Sequence, residues 1–342
     1  MIFIMVLLGG LTRLTESGLS ITEWQPISGV IPPLNEAQWN AEFEHYKAIP
    51  QYAAIHAEMS LAEFKTIFFW EFIHRLWGRT IGLVFVLPFL YLLWKRRISR
   101  HLAPKLGSLA VLLGLQGALG WYMVESGLQD RIEVSQYRLT AHLGTAVILY
   151  LALLWIALDL LQAARPPSAG HPRLRRALTA LMALAFLTLL AGGFVAGLRA
   201  GYIYNTFPLM NGYVIPPDYV SVSPWYLNPF ENLAAAQFDH RLLAELTWLC
   251  VMGLWLWSLR LDLSPGQRAA LHGLAGAATL QVALGIATLL LVVPVPLAAA
   301  HQAGALVLLS AAILARHEFR RPVSAAANPR LDDPGDDAIV RP

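Results

Sequence analysis

The chain alternates long apolar segments with shorter polar ones. Eight apolar segments run roughly from Met1 to Leu14, Thr66 to Trp94, Pro104 to Val124, Leu139 to Leu161, Ala177 to Leu198, Ala236 to Leu259, Ala269 to Val292 and Leu297 to Ala315. A helix needs about 20 apolar residues to cross the hydrocarbon core of a bilayer, so the pattern predicts eight transmembrane helices. The first is short, because about 15 residues at roughly 1.5 Å of rise reach only about 22 Å. It reads as a span that has lost its N-terminal part or whose start is assigned late. A cleaved signal peptide is the rival reading, but no small-residue cleavage site follows the segment.

Composition agrees with a membrane as the solvent. Of 342 residues 56% are hydrophobic and 14% charged, and the mean hydropathy is +0.52. The segments Lys95 to Lys105, Arg165 to Arg176, Arg260 to Arg268 and Arg316 to the end hold 16 Lys and Arg, against six in the opposite loops. By the positive-inside rule the first set and both termini are cytoplasmic, which predicts a multi-pass protein of a bacterial inner membrane. The formal charge of +3 therefore reflects topology, and no nucleic-acid partner is expected. The single cysteine, Cys250, lies mid-helix and excludes an intrachain disulfide or a cysteine metal cluster.

The chain also repeats itself. "GGLTRLTESG" from Gly9 is answered by "GGFVAGLRAG" from Gly192, and "LQGALG" from Leu115 by "LQVALG" from Leu280. "EFIHR" from Glu71 is answered by "QFDHR" from Gln237, and His142 in "TAHLG" by His301 in "AAHQAG". The copies lie 183, 165, 166 and 159 residues apart, so order is kept while loops change length. Four spans per half give both copies the same orientation, related by an axis along the membrane normal. The expected fold is thus all-α, two pseudo-symmetric four-helix bundles side by side, with Gly114, Gly117 and Gly120 allowing close helix approach. Residues 1–162 form the N-terminal bundle, with a long periplasmic loop at 13–65 whose Pro and Trp indicate a packed cap. Residues 163–176 form a cytoplasmic linker, 177–317 the C-terminal bundle, and 318–342 a polar, disordered tail. A second outer loop runs from Arg199 to Ala235, and extended loops on one face commonly cover a site.

Four of the ten histidines, His74, His142, His240 and His301, lie on the even-numbered spans, within the first turns from the periplasmic side. His272 sits apart, near the inner start of the seventh span. One intramembrane histidine often does no more than bond a neighbouring carbonyl or serine. Four at repeat-related positions point further, to two imidazoles facing each other in each half, the arrangement that bis-histidine heme ligation needs. Zinc would want further ligands at close spacing, and none is present. Arg75 and Arg241 each follow a ligand candidate and suit heme propionates, the alternative being a side chain that snorkels to the interface.

The halves differ at one position. Glu71, His74, Arg75 and Gly78 share a helix face at i, i+3, i+4 and i+7, and Gln237 stands where Glu71 has its counterpart. Glutamine can hydrogen-bond but cannot take up a proton, so only the first half carries an acid/base group. The alternative is that Glu71 merely pairs with Arg75.

These motifs, with "SITEWQPISGVIPPL" and "NTFPLMNG", resemble heme A synthase in its mitochondrial and proteobacterial form, and the likeness extends from Gly9 to His317. The resemblance implies an oxidoreductase that converts the C8 methyl group of heme O to a formyl group, through an alcohol and a hydrated aldehyde, to supply heme A to terminal oxidases. It implies that His240 and His301, with Arg241, hold a resident heme b as cofactor. By the same likeness His74 and His142, with Arg75, receive the substrate heme O, and Glu71 is the glutamate needed for activity. Implied partners are heme O synthase as the source of substrate, an electron acceptor or donor, the oxidase assembly pathway and membrane lipids; a homo-oligomer is left open. The family's other branch has a cysteine pair in its outer loops, which this chain lacks. The competing function is a di-heme b-type electron-transfer cytochrome, which would carry an acid in both halves or in neither. A transporter built from parallel repeats would want broken helices and polar residues at the midplane, which the sequence does not have.

Overall fold

A computed structural model describes residues 1–25, 28–128, 132–162 and 171–320. Its described residues form eleven α-helices and no strand. They are α1 (Ile2–Leu14), α2 (Glu36–Lys47), α3 (Pro50–Ile55), α4 (Leu61–Trp94), α5 (Ala103–Leu128), α6 (Gln136–Leu161), α7 (Pro172–Gly197), α8 (Asn228–Glu231), α9 (Leu233–Ser258), α10 (Pro265–Leu290) and α11 (Val295–Glu318). Six of them, α4, α5, α6, α7, α10 and α11, are long and apolar enough to cross a membrane, so the chain is an all-α, multi-pass membrane protein. α1 is apolar but has only 13 residues. α9 matches the others in length but carries Gln237, Asp239, Arg241 and Glu245 in its first half.

Three of these helices, α4, α9 and α10, start before their apolar segments on polar caps that satisfy the first backbone N–H groups. α4 begins at Leu61, five residues ahead of the apolar run, on a capping box between Ser60 and Glu63. α9 starts on Asn232, whose side chain accepts from Ala234 N and Ala235 N, and α10 on a second capping box from Ser264 to Gln267. α7 takes in residues 172–176 of the expected linker. Residues 163–170 of that linker and the expected tail from residue 321 onward lie outside the described residues.

In chain order, the first half packs α1 against α4 and α6, and α5 against α4 and α6. The second packs α9 against α7 and α10, and α11 against α7 and α10. The halves meet through α1, α6, α7 and α11, where Val6, Val147, Ala185, Leu306 and Leu309 form one buried cluster. Polar bonds cross the same seam: Gln302 Nε2 donates to Val6 O at 2.8 Å, and the Tyr150 and Ser310 hydroxyls lie 2.8 Å apart.

The segment before α4 folds back as a cap. Phe43 and Tyr46 of α2 pack with Phe64 and Phe68 of α4, ring centres 4.9 Å apart for Phe43 and Phe64 and 5.3 Å for Tyr46 and Phe64. Each fully buried aromatic of this kind is worth about 1.5–3 kcal/mol against water. The Tyr46 hydroxyl, held by Gln51 Oε1 at 3.0 Å and His56 Nδ1 at 2.6 Å, is pushed above its ordinary range by burial and then by Glu16 and Glu71. A second tie closes the capped end across the seam. Glu16 and Arg199 occupy left-handed turns just after α1 and α7, at φ 56° and 55°, and pair with each other. Glu133 joins them by accepting from Arg199 and, at 2.7 Å, from Arg13.

Candidate functional site

Each of the four histidines rests on a glycine of a neighbouring helix. A Cβ placed on Gly9 of α1 would stand 3.3 Å from His74 Nε2, and one on Gly120 of α5 would stand 3.0 Å from His142 Cε1. In the second half, a Cβ on Gly192 of α7 would stand 3.0 Å from His240 Cε1, and one on Gly285 of α10 2.8 Å from His301 Cε1. Gly9 and Gly192 stand at matching positions of the repeated sequence, as do Gly120 and Gly285, so the contacts recur with the repeat. Gly114 and Gly117, expected to bring helices together, face open space instead; only Gly120 of that group meets a neighbour.

A glutamine fixes the backbone behind the second histidine of each pair. Gln116 Nε2 donates to His142 O at 2.8 Å, and Gln281 Nε2 to His301 O at 3.0 Å. Both glutamines belong to the repeated "LQ" motifs, but a sequence match gave them no role. The contact depends on how α5 meets α6 and α10 meets α11.

The arrangement fits a bound heme. His240 Nδ1 donates to Thr188 O at 3.0 Å, which leaves the lone pair of Nε2 for a metal. His240 and His301 face each other with ring centres 6.3 Å apart and planes at 81°. A metal–nitrogen bond of about 2 Å and a ring centre about 1.2 Å beyond the nitrogen place two imidazoles on opposite sides of one metal roughly 6.4 Å apart. Among the buried atoms without a partner are His142 Nδ1, His301 Nδ1 and Arg241 Nε, donors or acceptors left over in a protein-only interior.

The structure brings Glu71, His74 and Arg75 together and binds the acid closely. Glu71 is 2% exposed. Its Oε1 accepts from Arg75 Nε at 3.0 Å and Nη2 at 2.6 Å, and its Oε2 from Ser20 Oγ and Ile21 N, both at 2.8 Å. Arg75 also donates to Ile21 O at 2.7 Å and Glu23 O at 3.2 Å. In the second half Arg241 donates to Tyr204 O and, at 2.9 Å, to Thr206 O, the carbonyls 183 residues further on. Both arginines, expected on heme propionates, hold the loops that follow α1 and α7. Gln237 turns its amide to Ala200 O at 3.0 Å and Ile203 O at 2.6 Å. Among the described residues no cluster of three or more His, Cys, Asp or Glu is suited to a bare metal ion.

Known proteins resemble this chain over most of its length. The model of the cytochrome oxidase assembly protein family matches residues 1–313. A heme A synthase of Nitrosospira multiformis is 54% identical over 94% of this chain and 91% of its own length. Those of Rhodospirillum centenum and Parvibaculum lavamentivorans are 52% and 50% identical over 94% of this chain, covering 86% and 92% of their own lengths.

Proposed function

The chain belongs to the cytochrome oxidase assembly proteins that are heme A synthases, and from that premise we propose that it oxidises the C8 methyl group of heme O to a formyl group. The observation that carries this reading is the pair of repeat-matched histidine sites of which one alone has an acid, Glu71, a single turn from its histidine. In this reading α1 and α9 complete eight spans, each half is a four-helix bundle, both termini are cytoplasmic, and the capped end faces the periplasm. The packing of α1 with α4 and α6, repeated by α7 with α9 and α11, supports the bundles.

His74 and His142 hold the substrate heme O, and His240 and His301 hold heme b. Heme b, when bound, accepts and passes single electrons. Gly9 and Gly120 leave room for the ring planes of the first pair, and Gln116 fixes the backbone of His142. Glu71 takes the proton released as the methyl carbon is oxidised. Its two oxygens already face four donor contacts, so taking up a proton requires one donor to turn away. The Ser20 hydroxyl can do this by rotation, whereas the Ile21 N–H is fixed in the backbone. Arg75 and the carbonyls of Ile21 and Glu23 keep the carboxyl one turn from His74, and the cap keeps bulk water from it.

Pigment extraction from the purified protein tests the assignment. Replacing His240 and His301 by Ala is expected to remove heme b. Replacing His74 and His142 is expected to remove heme O, its hydroxylated form and heme A. Equal loss of a single pigment from both variants overturns the division of roles.

A further inference from the structure

The outward side of the second half carries polar groups that the histidine sites do not use. A groove of about 600 Å³ between α9 and α10 is lined by Trp255, His272, Thr279, Leu280 and Ala283 among others. Trp255 Nε1 donates to His272 Nδ1 at 2.9 Å. An indole can only donate, so Nδ1 is the accepting nitrogen and the ring proton lies on Nε2. Among the described residues nothing accepts from that Nε2–H. Higher on the same wall Trp248 Nε1 donates to Thr279 Oγ1 at 3.2 Å.

The first half has no such groups. At the repeat spacings of 165 and 166 residues, His272 corresponds to Gly107, Thr279 to Gly114, Trp255 to Phe89 and Trp248 to Gly82. These positions correspond in space as well: a Cβ on Gly107 would touch the Phe89 ring at 3.9 Å, where His272 touches Trp255. A surface facing hydrocarbon needs no histidine, and an ionisable side chain within a span marks a site.

The upper end of the groove lies at the height along α10 of the residues that meet the second histidine pair. Leu280 and Ala283 flank Gln281, which bonds to His301 O, and Gly285 against the His301 ring lies two residues past Ala283, about 3 Å along the axis. Conversion of a methyl to a formyl group with water as oxygen donor breaks two C–H bonds and the two O–H bonds of water, forms one C=O bond and releases four electrons and four protons. Resting on the function proposed above, we propose that this groove binds a lipid-soluble quinone that collects those electrons. Two quinones take up four electrons and four protons to become two quinols, which balances the oxidation. His272 Nε2–H donates to a quinone carbonyl and orients the ring, while Gly276 and Ala283 leave the wall smooth enough for a planar head group and its tail.

The test uses the full chain in phospholipid nanodiscs with a short-chain benzoquinone bearing a photoactivatable azide. Label is expected on peptides of α9 and α10, competed by excess unlabelled decyl-quinone. His272→Leu is expected to raise the half-saturating quinone concentration roughly tenfold, the loss of about one hydrogen bond, and His272→Gln, which keeps an N–H donor, to raise it less. His272→Phe is the second apolar variant if His272→Leu does not accumulate. Label on other helices, competition by phospholipid alone, or unchanged labelling in the apolar variants overturns the proposal. Labelling needs no heme, so a second pair that holds none would refute the heme assignment while leaving the groove to be judged on its own. In heme-loaded protein, reduction of the heme absorbance by decyl-quinol should slow in His272→Leu and not with dithionite.

Discussion

At the capped end the two halves use the same clamp and fill it differently. Arg75 holds the carbonyls of Ile21 and Glu23, and Arg241 holds those of Tyr204 and Thr206, so the loops after α1 and α7 run alike. Between clamp and histidine the polarity inverts. The first loop offers donors, Ser20 Oγ and Ile21 N, to a carboxylate; the second offers acceptors, Ala200 O and Ile203 O, to an amide. The difference between Glu71 and Gln237 is therefore built into the loops as well as into the helices. Each half is set up for its own side chain, and an exchange at one position alone leaves a mismatched partner.

Reciprocal exchange is the strongest test of that contrast. Glu71→Gln should lower heme A formation by about 10²- to 10⁴-fold, the usual range for losing a positioned acid or base, while heme O or the alcohol accumulates. Pigment analysis of the purified variant checks this, and a normal heme A yield would sink the role given to Glu71. Gln237→Glu should gain no activity and should instead turn a carboxylate toward two buried carbonyls. The lost donors and the repulsion cost at least about 1–3 kcal/mol, visible as a lower midpoint in thermal denaturation.

Much of this contrast was legible in the sequence, and the reason is geometric. His74, His142, His240 and His301, and the Glu71/Gln237 substitution, stand out because helical spacing and a repeat in fixed order place them without knowledge of packing. What stayed hidden depends on how helices meet. Gly114, Gly117 and Gly120 look the same along α5, yet only Gly120 faces His142. Arg75 and Arg241 carry fork-shaped donors that suit propionates, but loops that return over the helix ends bring carbonyls to them first. The α9 boundary was set by Asn232, a cap outside the apolar run that defines the span. The pairing of Glu16 with Arg199 joins positions that match in the repeat, and no local pattern announces a contact between two copies of one motif.

The glycines under the histidines allow a graded comparison. In an exposed helix Gly→Ala stabilises by about 0.5–1 kcal/mol, and overpacking costs about 1–3 kcal/mol, so the Cβ distance decides the sign. Gly285→Ala, at 2.8 Å, should cost most and displace the His301 ring; Gly120→Ala and Gly192→Ala, at 3.0 Å, should cost less; Gly9→Ala, at 3.3 Å, should be close to neutral. Gly114→Ala, which meets nothing, should gain the helix-propensity term. Heme absorbance and thermal midpoint across the five variants give the order, and a uniform effect would mean that the glycines serve helix packing in general.

The smallest effect is expected where the halves are tied together. Arg199 joins Glu16 and Glu133, and Arg13 reaches Glu133 and the Ala196 carbonyl at 3.2 Å, so four charged side chains straddle the seam. The Arg199 side chain is 35% exposed, which screens its pairs, and Arg199→Ala should cost only about 1 kcal/mol. A double-mutant cycle with Glu16→Gln isolates the cross-seam term from the contribution of Glu133. Exchanging the two charges, Glu16→Arg with Arg199→Glu, should restore less than half of the loss, because the new glutamate would face Glu133 while that residue still holds Arg13. Full recovery would mean that Glu133 bonds Arg13 alone, and that the seam rests on one pair and the buried cluster beneath it.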